Sequence, residues 1–178
     1  DTDRSRGLGD VYKRQLPRPI NHYGNVKLCI ENTIRTFNYQ AHTKILIARI
    51  SNPYGPGQDF NKGVGFIDAA IKKTIRSEKI EIWGDGNNVR DYIYIDDVCR
   101  MLISLFYYQE DYDTFNISSN TGTSQRDVIR MLEAMQLAPQ VEYLPARSVD
   151  AKKIILNNER IMSCLLYTSP SPRDRSVS

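Results

Sequence analysis

Two periods of apolar and polar positions alternate along residues 16–163 and predict a succession of helices and strands. In the clearest helical stretch, over 21–41, apolar residues recur at spacings of three and four: Val26, Ile30, Ile34, Phe37 and Ala41. Three further helices are predicted, over 66–75, from a cap at Asp96, and over 125–135 behind a cap at Ser124. The helix from Asp96 places these residues on one face: Val98, Met101, Leu102, Leu105 and Phe106.

Short apolar runs between these helices predict the strands. The run 44–50 is rich in isoleucine, as buried parallel strands are. Other predicted strands are 80–83, 92–94, 114–118 and 141–144, with 153–156 as a further candidate. The stretch 51–58 has the proline and glycine of a loop. Strands alternating with helices predict an α/β fold.

The two ends of the chain have an unusual coding property. Residues 5–15, SRGLGDVYKRQ, can be encoded by a DNA whose reverse complement, read one base out of frame, encodes CLLYTSPSPR at 164–173. That DNA is similar to the adapter of a transposon-based sequencing kit. We therefore predict that residues 1–15 and 164–178 are translated adapter, and we exclude them from fold reasoning.

Charge and cysteine content narrow the classes of partner. Without its ends the chain keeps 18 basic and 17 acidic residues, so nothing in its charge favours nucleic acid. Cys29 and Cys99 lack metal-ligand spacing, and their simplest interpretation is buried thiols in a reducing cytoplasm. No apolar run reaches the roughly 18 residues of a membrane span. We therefore expect no nucleic acid, membrane or metal partner; the expected loss of the true N-terminus leaves a signal peptide untested.

Tyr23 and Lys27 stand four residues apart in the first predicted helix, so their side chains project from one face. A tyrosine is a poor base at neutral pH, because an ordinary phenol titrates near pH ~10. A cation within about 4–6 Å favours the phenolate. Such a pair can take a proton from a sugar hydroxyl, provided that a hydride acceptor removes the accompanying hydrogen. Taken alone, the spacing also fits a surface tyrosine beside a surface lysine.

Four ordered blocks make a comparison with known families specific. They are PINHYGNVKLCIE at 19–31, RISNPYGPGQ at 49–58, IEIWGDGNNVRDYIYIDDV at 80–98 and RSVD at 147–150. In order, residue identity and spacing, these blocks resemble those of the extended short-chain dehydrogenases/reductases, in particular the NAD-dependent sugar epimerase/dehydratase family. The resemblance covers essentially all of 16–163, and the block around Arg90 discriminates best.

The resemblance implies a catalytic and cofactor-binding role for three matched positions. Tyr23 would be the catalytic acid–base, and Lys27 would favour its phenolate and hydrogen-bond the nicotinamide ribose. Ser51 would line the nicotinamide pocket. The implied cofactor is NAD, although the residues present leave NAD and NADP open. His22 and His42 carry no catalytic signal.

The resemblance also implies a binding site for a nucleotide sugar, a UDP-sugar being favoured. Its positions are Asn52 and Arg90 on the diphosphate, the backbone of Glu81, Ile82 and Trp83 on uracil, and Arg147 and Asp150 on phosphate and ribose. Three plainer interpretations stay open: a turn cap at Asn52, a core side chain at Trp83, and a surface ion pair between Arg147 and Asp150. Asp91 is expected to orient its loop, and the pair Asp96 and Asp97 to open a helix.

Two positions depart from the family pattern, and one part of the enzyme is missing. An asparagine common in the epimerases aligns with Val64 or Gly65, and a substrate-side tyrosine aligns with Ile154. Both departures concern the sugar end of the pocket. The glycine-rich turn that seats the cofactor pyrophosphate would lie upstream of Leu16. We thus expect the C-terminal part of a Rossmann-like parallel sheet domain over 16–58, and mainly a small α/β substrate-binding domain over 59–163.

The implied activity of the parent enzyme is 4-epimerisation of a nucleotide sugar by transient oxidation at C4, in a homodimer. The same half-domain serves 4,6-dehydratases, decarboxylases and reductases. An inactive NAD- or nucleotide-binding module is the alternative of another class, although a binder has no need of Tyr23 beside Lys27. We expect the chain by itself to be poorly soluble and inactive.

Overall fold

The computed structural model describes residues 19, 21–58, 65–109, 112–146 and 151–168, with side chains as far as residue 165. Within these ranges the helices are α1 (His22–Ala41), α2 (Phe66–Ile75), α3 (Ile95–Leu105), α4 (Gln125–Ala134) and α5 (Glu159–Thr168). The strands are β1 (Ile47–Ile50), β2 (Asn52–Tyr54), β3 (Lys79–Trp83), β4 (Val89–Tyr94), β5 (Thr114–Ile117), β6 (Gly122–Ser124), β7 (Gln140–Leu144) and β8 (Lys153–Ile154).

Parallel pairing dominates the sheets. Strand β1 pairs in parallel with β5, and β3 pairs in parallel with β7. Strand β4 pairs in parallel with β2 and β8, and antiparallel with β6. Helices alternate with these strands along the chain, which confirms the predicted α/β class. The predicted boundary between two domains at residue 58 stays a prediction.

Two separate apolar clusters form the core. The first joins α3 and α5 to strands β4 and β5 through these buried residues: Ile93, Val98, Met101, Leu105, Phe115, Ile117 and Ile161. The second joins α2, β3 and α4 through Ala70, Ile80, Ile82, Ile129 and Leu132. Because burying one such side chain contributes about 1.5–3 kcal/mol, each cluster holds its own helices on its own strands.

The predicted cap of α4 is confirmed, and its geometry is a capping box. The Asp127 amide donates to the Ser124 hydroxyl oxygen at 3.1 Å, and the Ser124 amide donates to a carboxylate oxygen of Asp127 at 3.1 Å. The Ser124 hydroxyl also donates to that oxygen, at 2.6 Å. The bond from Ser124 holds the pKa of the Asp127 carboxyl below its usual range. The contribution of this carboxylate to stability is therefore present above its unfolded pKa and lost as the pH falls through its folded pKa.

The start of α3 differs from the prediction. The helix begins at Ile95 with Tyr94 at the cap position, and no side chain caps it; Asp96 and Asp97 lie in its first turn instead. Two acids there stabilise the helix through its dipole rather than by capping. The predicted inward face also ends one residue early, because Phe106 lies beyond the last turn and is 84% exposed.

The prediction that Cys29 and Cys99 are buried thiols is wrong. Both are exposed, Cys29 on α1 and Cys99 on α3. Helical periodicity predicted that each cysteine lies in a helix, but it did not determine which side of the helix the cysteine lies on. Cys29 lies beside Val26 and Ile30, which are themselves exposed.

Helix α5 continues into the segment that the sequence predicts to be adapter-derived. Cys164 and Leu165 pack against the first apolar cluster, and the Cys164 thiol donates to the carbonyl of Arg160 at 3.3 Å. The helix thus extends the fold by one turn past residue 163. The origin of residues 164–178 stays a prediction, and residues 1–15 lie outside the described ranges.

Replacing Ser124 with alanine should lower the free energy of unfolding at pH 7 by about 1 kcal/mol, since it removes the cap of α4. Part of this loss should disappear at acidic pH, once the pH has fallen through the lowered folded pKa of Asp127 and protonation has removed the carboxylate that accepts the bond. Urea denaturation at both pH values measures the effect, with Thr36→Ala on exposed α1 as the control. A loss independent of pH, or an equal loss in the control, would contradict the expectation.

Candidate active site

Helix α1 begins with a cap that fixes Tyr23 and Lys27 on one side of its first turns. The Asn21 side chain accepts a hydrogen bond from the Gly24 amide at 2.8 Å. Gly24 faces Pro19 so closely that a β-carbon there would lie 2.9 Å from the proline Cβ. Any side chain at this position would therefore push Pro19 away and disturb the start of the helix.

Tyr23 and Lys27 lie next to each other in the structure, and their acid–base role stays a prediction. The Lys27 ammonium lies 5.4 Å from the centroid of the Tyr23 ring, and Tyr23 is 72% exposed. This separation is within the range in which a cation is attracted to the face of a ring. The phenol is therefore accessible and has a cation beside it, as an acid–base residue requires.

A buried ion pair attaches α1 to the sheet. Glu31 is the buried residue of α1 in the part of the chain that the structure describes. Its two carboxylate oxygens accept from Arg49 of β1, at 2.8 Å from Nε and 2.6 Å from Nη2. Arg35 extends the contact, donating to Glu31 at 3.2 Å and to Asp113 at 3.0 Å. The position of Tyr23 thus depends on charged contacts about two and three turns further along its helix.

The opposite side of α1 carries an open apolar groove of about 440 Å³. Its lining residues are His22, Asn25, Val26, Cys29, Ile30, Thr33 and Ile34. His22 lines this groove, and its expected lack of a catalytic role stays a prediction.

Ser51 and Asn52 mark the point where the chain passes from one parallel pair to the next. The Ser51 amide donates to the Ile117 carbonyl at 3.0 Å, which continues the pairing of β1 with β5. Asn52 then begins β2 and stands opposite Tyr92 of β4. Its side-chain amide donates to the Asp91 carbonyl at 2.9 Å. Ser51, the predicted cofactor position, therefore follows the pair of β1 with β5, and Asn52, the predicted substrate position, begins the pair of β2 with β4.

Three predicted substrate positions meet in one cavity of about 300 Å³. Asn52, Trp83 and Arg90 all line it, although separate sequence blocks supplied them. The side chain of Trp83 is half-buried and lines this cavity, which favours the binding role over that of a plain core residue. Asn52 bonds to Asp91 of the neighbouring strand, a role beyond the turn cap that its sequence also fitted.

Glu81 and Ile82 do not present side chains to this cavity. Ile82 is fully buried in the second apolar cluster, and Glu81 is exposed beside Glu142 of the paired strand β7. The role expected for both concerns their backbone, and β3 pairs with β7 on one edge. Their contact with a base stays a prediction.

Only part of the Arg90 guanidinium is engaged in the hydrogen bonds that the structure records. Its Nη1 donates to the carbonyls of Val89 at 2.9 Å and Ala151 at 2.7 Å, which fixes the guanidinium at the junction of β4 and β8. Within the described ranges, the structure records no partner for its Nε and Nη2 atoms. A planar guanidinium fixed at one end suits a phosphate at the other.

Two further residues of the cavity wall were missed by sequence analysis. Asp68 of α2 and Gln125 of α4 line the cavity, and Asp68 Oδ2 and Gln125 Oε1 are buried without a partner in the described part of the chain. Burial raises the pKa of the Asp68 carboxyl, and a hydrogen bond from the Gly55 main chain partly offsets this. An unpaired buried acceptor costs about 1–3 kcal/mol, so the wall suits a ligand with O–H or N–H groups. Neither residue belongs to a recognisable motif, so sequence analysis had no signal by which to find them.

Other lining residues are apolar or neutral. Burial raises the pKa of Tyr92, with Arg90 acting in the opposite direction, so Tyr92 contributes a neutral phenol. Gly65 lines the cavity with a φ of 92°, a conformation that favours glycine. Ile154, the other position of departure, stands opposite Arg90 in the pairing of β8 with β4.

Some expectations fall outside the described residues. Arg147, Asp150 and Val64 lie there, and their predicted contacts stay predictions. Among the residues that are described, no group of three or more His, Cys, Asp and Glu side chains is placed to hold a metal ion. None of the helices seen in these ranges is both long and apolar enough to cross a bilayer.

Comparison with known proteins assigns the family. The model of the NAD dependent epimerase/dehydratase family matches residues 8–118, more than half of the chain. The chain belongs to this family. The match begins inside residues 1–15, whose adapter origin is untested.

Individual members of the epimerase/dehydratase family differ in reaction. The dTDP-L-rhamnose 4-epimerase of Burkholderia thailandensis is 34% identical over 129 residues, 71% of this chain and 36% of that protein. The dTDP-4-dehydro-6-deoxyglucose reductase of Escherichia coli is 30% identical over 146 residues, 82% of this chain and 46% of that protein.

A solved structure of the family has the same fold. The UDP-glucuronic acid 4-epimerase of Bacillus cereus, in complex with UDP-glucuronic acid and NAD, matches with a TM-score of 0.78 at 27% identity. The match covers 92% of this chain and 52% of that one. The chain thus spans about half or less of the length of the family members that it matches.

Replacing Glu31 with glutamine should destabilise the protein by about 3–5 kcal/mol, because it removes the carboxylate charge that faces the buried Arg49 guanidinium. The control is Glu142→Gln, which breaks the exposed pair with Lys79 and should cost at most about 1 kcal/mol. Chemical denaturation measures both. Equal effects of the two variants would show that the buried pair does not anchor α1.

Proposed function

We propose that the full-length enzyme to which this chain belongs is a nucleotide-sugar 4-epimerase that acts by transient oxidation at C4 with NAD. The observation that carries the proposal is the convergence of Asn52, Trp83 and Arg90 on one cavity. Family membership supports a sugar-modifying activity, and the accessible Tyr23 beside Lys27 supports acid–base chemistry.

Tyr23 is the proposed proton carrier. Its phenolate, favoured by the Lys27 cation, takes the proton of the C4 hydroxyl and later returns it to the same oxygen. NAD, when bound, supplies the hydride acceptor and then the hydride donor. The 4-keto sugar turns between the two transfers, so that it is reduced on its other face. Lys27 and Ser51 are the residues of this chain that would face the nicotinamide riboside.

Binding of the nucleotide part of the substrate would keep the keto sugar in the site while the sugar turns. Arg90 and Asn52 would donate to the diphosphate, and Arg147 and Asp150 would hold phosphate and ribose. The backbone of Glu81, Ile82 and Trp83 would pair with the base. Binding energy from this remote end can hold the reacting end through the change of face.

A UDP-sugar is the proposed substrate. The Bacillus cereus neighbour carries UDP-glucuronic acid, whereas the two curated relatives act on dTDP-sugars. The unpaired acceptors of Asp68 and Gln125 suit the additional hydroxyl of a ribose over a deoxyribose. Turnover of UDP-sugars in preference to dTDP-sugars would support this choice.

A reductase or a 4,6-dehydratase is the second candidate. The Escherichia coli reductase supports it, since it matches 82% of this chain at an identity near that of the epimerase relative. The residues expected to separate these reactions lie upstream of residue 16. Formation of a 4-epimer without net consumption of reduced cofactor distinguishes the epimerase from a reductase.

Tyr23→Phe in the full-length enzyme should lower kcat for 4-epimer formation from UDP-galactose or UDP-N-acetylgalactosamine by about 10²–10⁴-fold, because the acid–base group is lost. The matched control is Tyr39→Phe, which changes an 84% exposed tyrosine on the same helix. That variant should keep its activity. Full activity of Tyr23→Phe would remove Tyr23 from its role, and binding without any turnover in the unmodified enzyme would favour the inactive binding module.

The chain of 178 residues alone should show no measurable affinity for NAD⁺, because it spans about half of its relatives and offers NAD⁺ few contacts. Isothermal titration of the chain with NAD⁺ measures this, with the full-length enzyme as the positive control. Micromolar binding by the chain would contradict the expectation.

A homodimer in the cytoplasm is the proposed state of the full-length enzyme. The family resemblance supports the dimer, and the absence of disulfides among the described cysteines is compatible with a reducing compartment. Sedimentation of the full-length enzyme measures its oligomeric state.

A further inference from the structure

Asp91 is a fully buried carboxylate at the junction of several strands. Its relative exposure is 0%. One oxygen accepts from the Ser119 amide at 2.9 Å, from the Ser119 hydroxyl at 2.8 Å and from the Ser51 hydroxyl at 3.3 Å. The other accepts from the Leu156 amide at 3.2 Å. The residue therefore joins the chain after β1, after β5 and after β8.

The donors to this carboxylate are neutral, and they come from both of its sides. Burying a carboxylate costs several kcal/mol unless hydrogen bonds replace its hydration. Such a group is fixed in place, because any displacement would break bonds to segments that are far apart in the sequence. Its geometry is thus set by β1, β5 and β8 together.

The main chain of Asp91 makes a second, separate connection. Its carbonyl accepts from the Asn52 side chain at 2.9 Å, while its carboxylate accepts from Ser51. Ser51 and Asn52 are the consecutive positions proposed to face the nicotinamide and the diphosphate. Its two neighbours, Arg90 and Tyr92, line the nucleotide cavity.

We propose that Asp91 is the positioning residue that sets the cofactor side of the active site relative to the nucleotide side, by holding Ser51 with its carboxylate and Asn52 with its carbonyl. This inference rests on the proposed function, because that function assigns the two sides. It gives Asp91 a role in binding and turnover beyond the loop geometry that sequence analysis expected.

Asparagine cannot reproduce these contacts. Its side chain has one acceptor oxygen and one NH₂ donor, whereas both sides of Asp91 face donors. With the oxygen toward Ser51 and Ser119, the NH₂ group would meet the Leu156 amide. In the opposite orientation it would meet the Ser119 amide, an obligatory donor, and two hydroxyls that would have to rotate in order to accept. Either arrangement leaves the NH₂ group against a main-chain N–H, so residue 91 must shift, and its contacts with Ser51 and Asn52 shift with it.

The test is Asp91→Asn in the full-length enzyme, measured well below its melting temperature. We expect kcat to fall about 10²-fold, as a displacement of about 1 Å can cause. We also expect the Kd for NAD⁺ and the Kd for UDP, both from isothermal titration, to rise together. A merely structural residue would change the melting temperature and leave these constants as they were, which would overturn the proposal.

Thr74→Val is the matched control, since it removes a buried hydroxyl bond of 2.7 Å to Ala70 at the far end of α2. It should lower stability without changing kcat or either Kd. If Asp91→Asn does not fold, Ser119→Ala removes one donor and keeps the carboxylate. Smaller rises in both Kd values would support the proposal, and unchanged values would overturn it.

The two binding measurements separate this proposal from the proposed function. If the unmodified enzyme turns over no nucleotide sugar, the proposed epimerase activity fails. Parallel losses of NAD⁺ and UDP binding in Asp91→Asn would still support Asp91 as the positioning residue. A loss of only one of the two affinities would contradict it even in an active epimerase.

Discussion

The ion pair between Glu31 and Arg49 determines where the helix with Tyr23 and Lys27 lies on the sheet. Most helices in α/β proteins are held by an apolar stripe, but the apolar residues of α1 such as Val26 and Phe37 are exposed. A bidentate contact is directional, so it fixes rotation of the helix as well as its distance from β1. Among the residues that the structure describes, the orientation of Tyr23 and Lys27 therefore depends strongly on a charge–charge geometry.

Strand β1 and the residue after it contact two groups of polar residues, the ion pair of Glu31 and the carboxylate of Asp91. Arg49 faces the helix with the acid–base pair, and Ser51, two residues later, reaches Asp91. Because β1 is held in register by β5, these contacts cannot shift independently. The proposed acid–base residues and the proposed nucleotide-binding residues are thus both positioned relative to one short strand.

Sequence analysis predicted those parts of the structure that depend on local patterns. Periodicity placed α1, α2, α4 and β3 close to their observed bounds, and ordered motifs named Asn52, Trp83 and Arg90, which line one cavity. It missed β2 and β6, because three-residue strands next to proline or glycine carry no period. It also could not predict the exposure of Cys29, the burial of Glu31 or the partners of Asp91, since these depend on contacts between segments 18 to 65 residues apart.

The polar anchorage of α1 has a consequence for the order of folding. An ion pair gains enough to offset its desolvation only when both partners are already in place. Arg49 is held in place by the pairing of β1 with β5, which joins residues 47–50 to 114–117. Helix α1 can form early by itself, but it docks only after these distant strands have met. Docking of α1 should therefore be a late event, and interactions of Glu31 should be absent from the folding transition state.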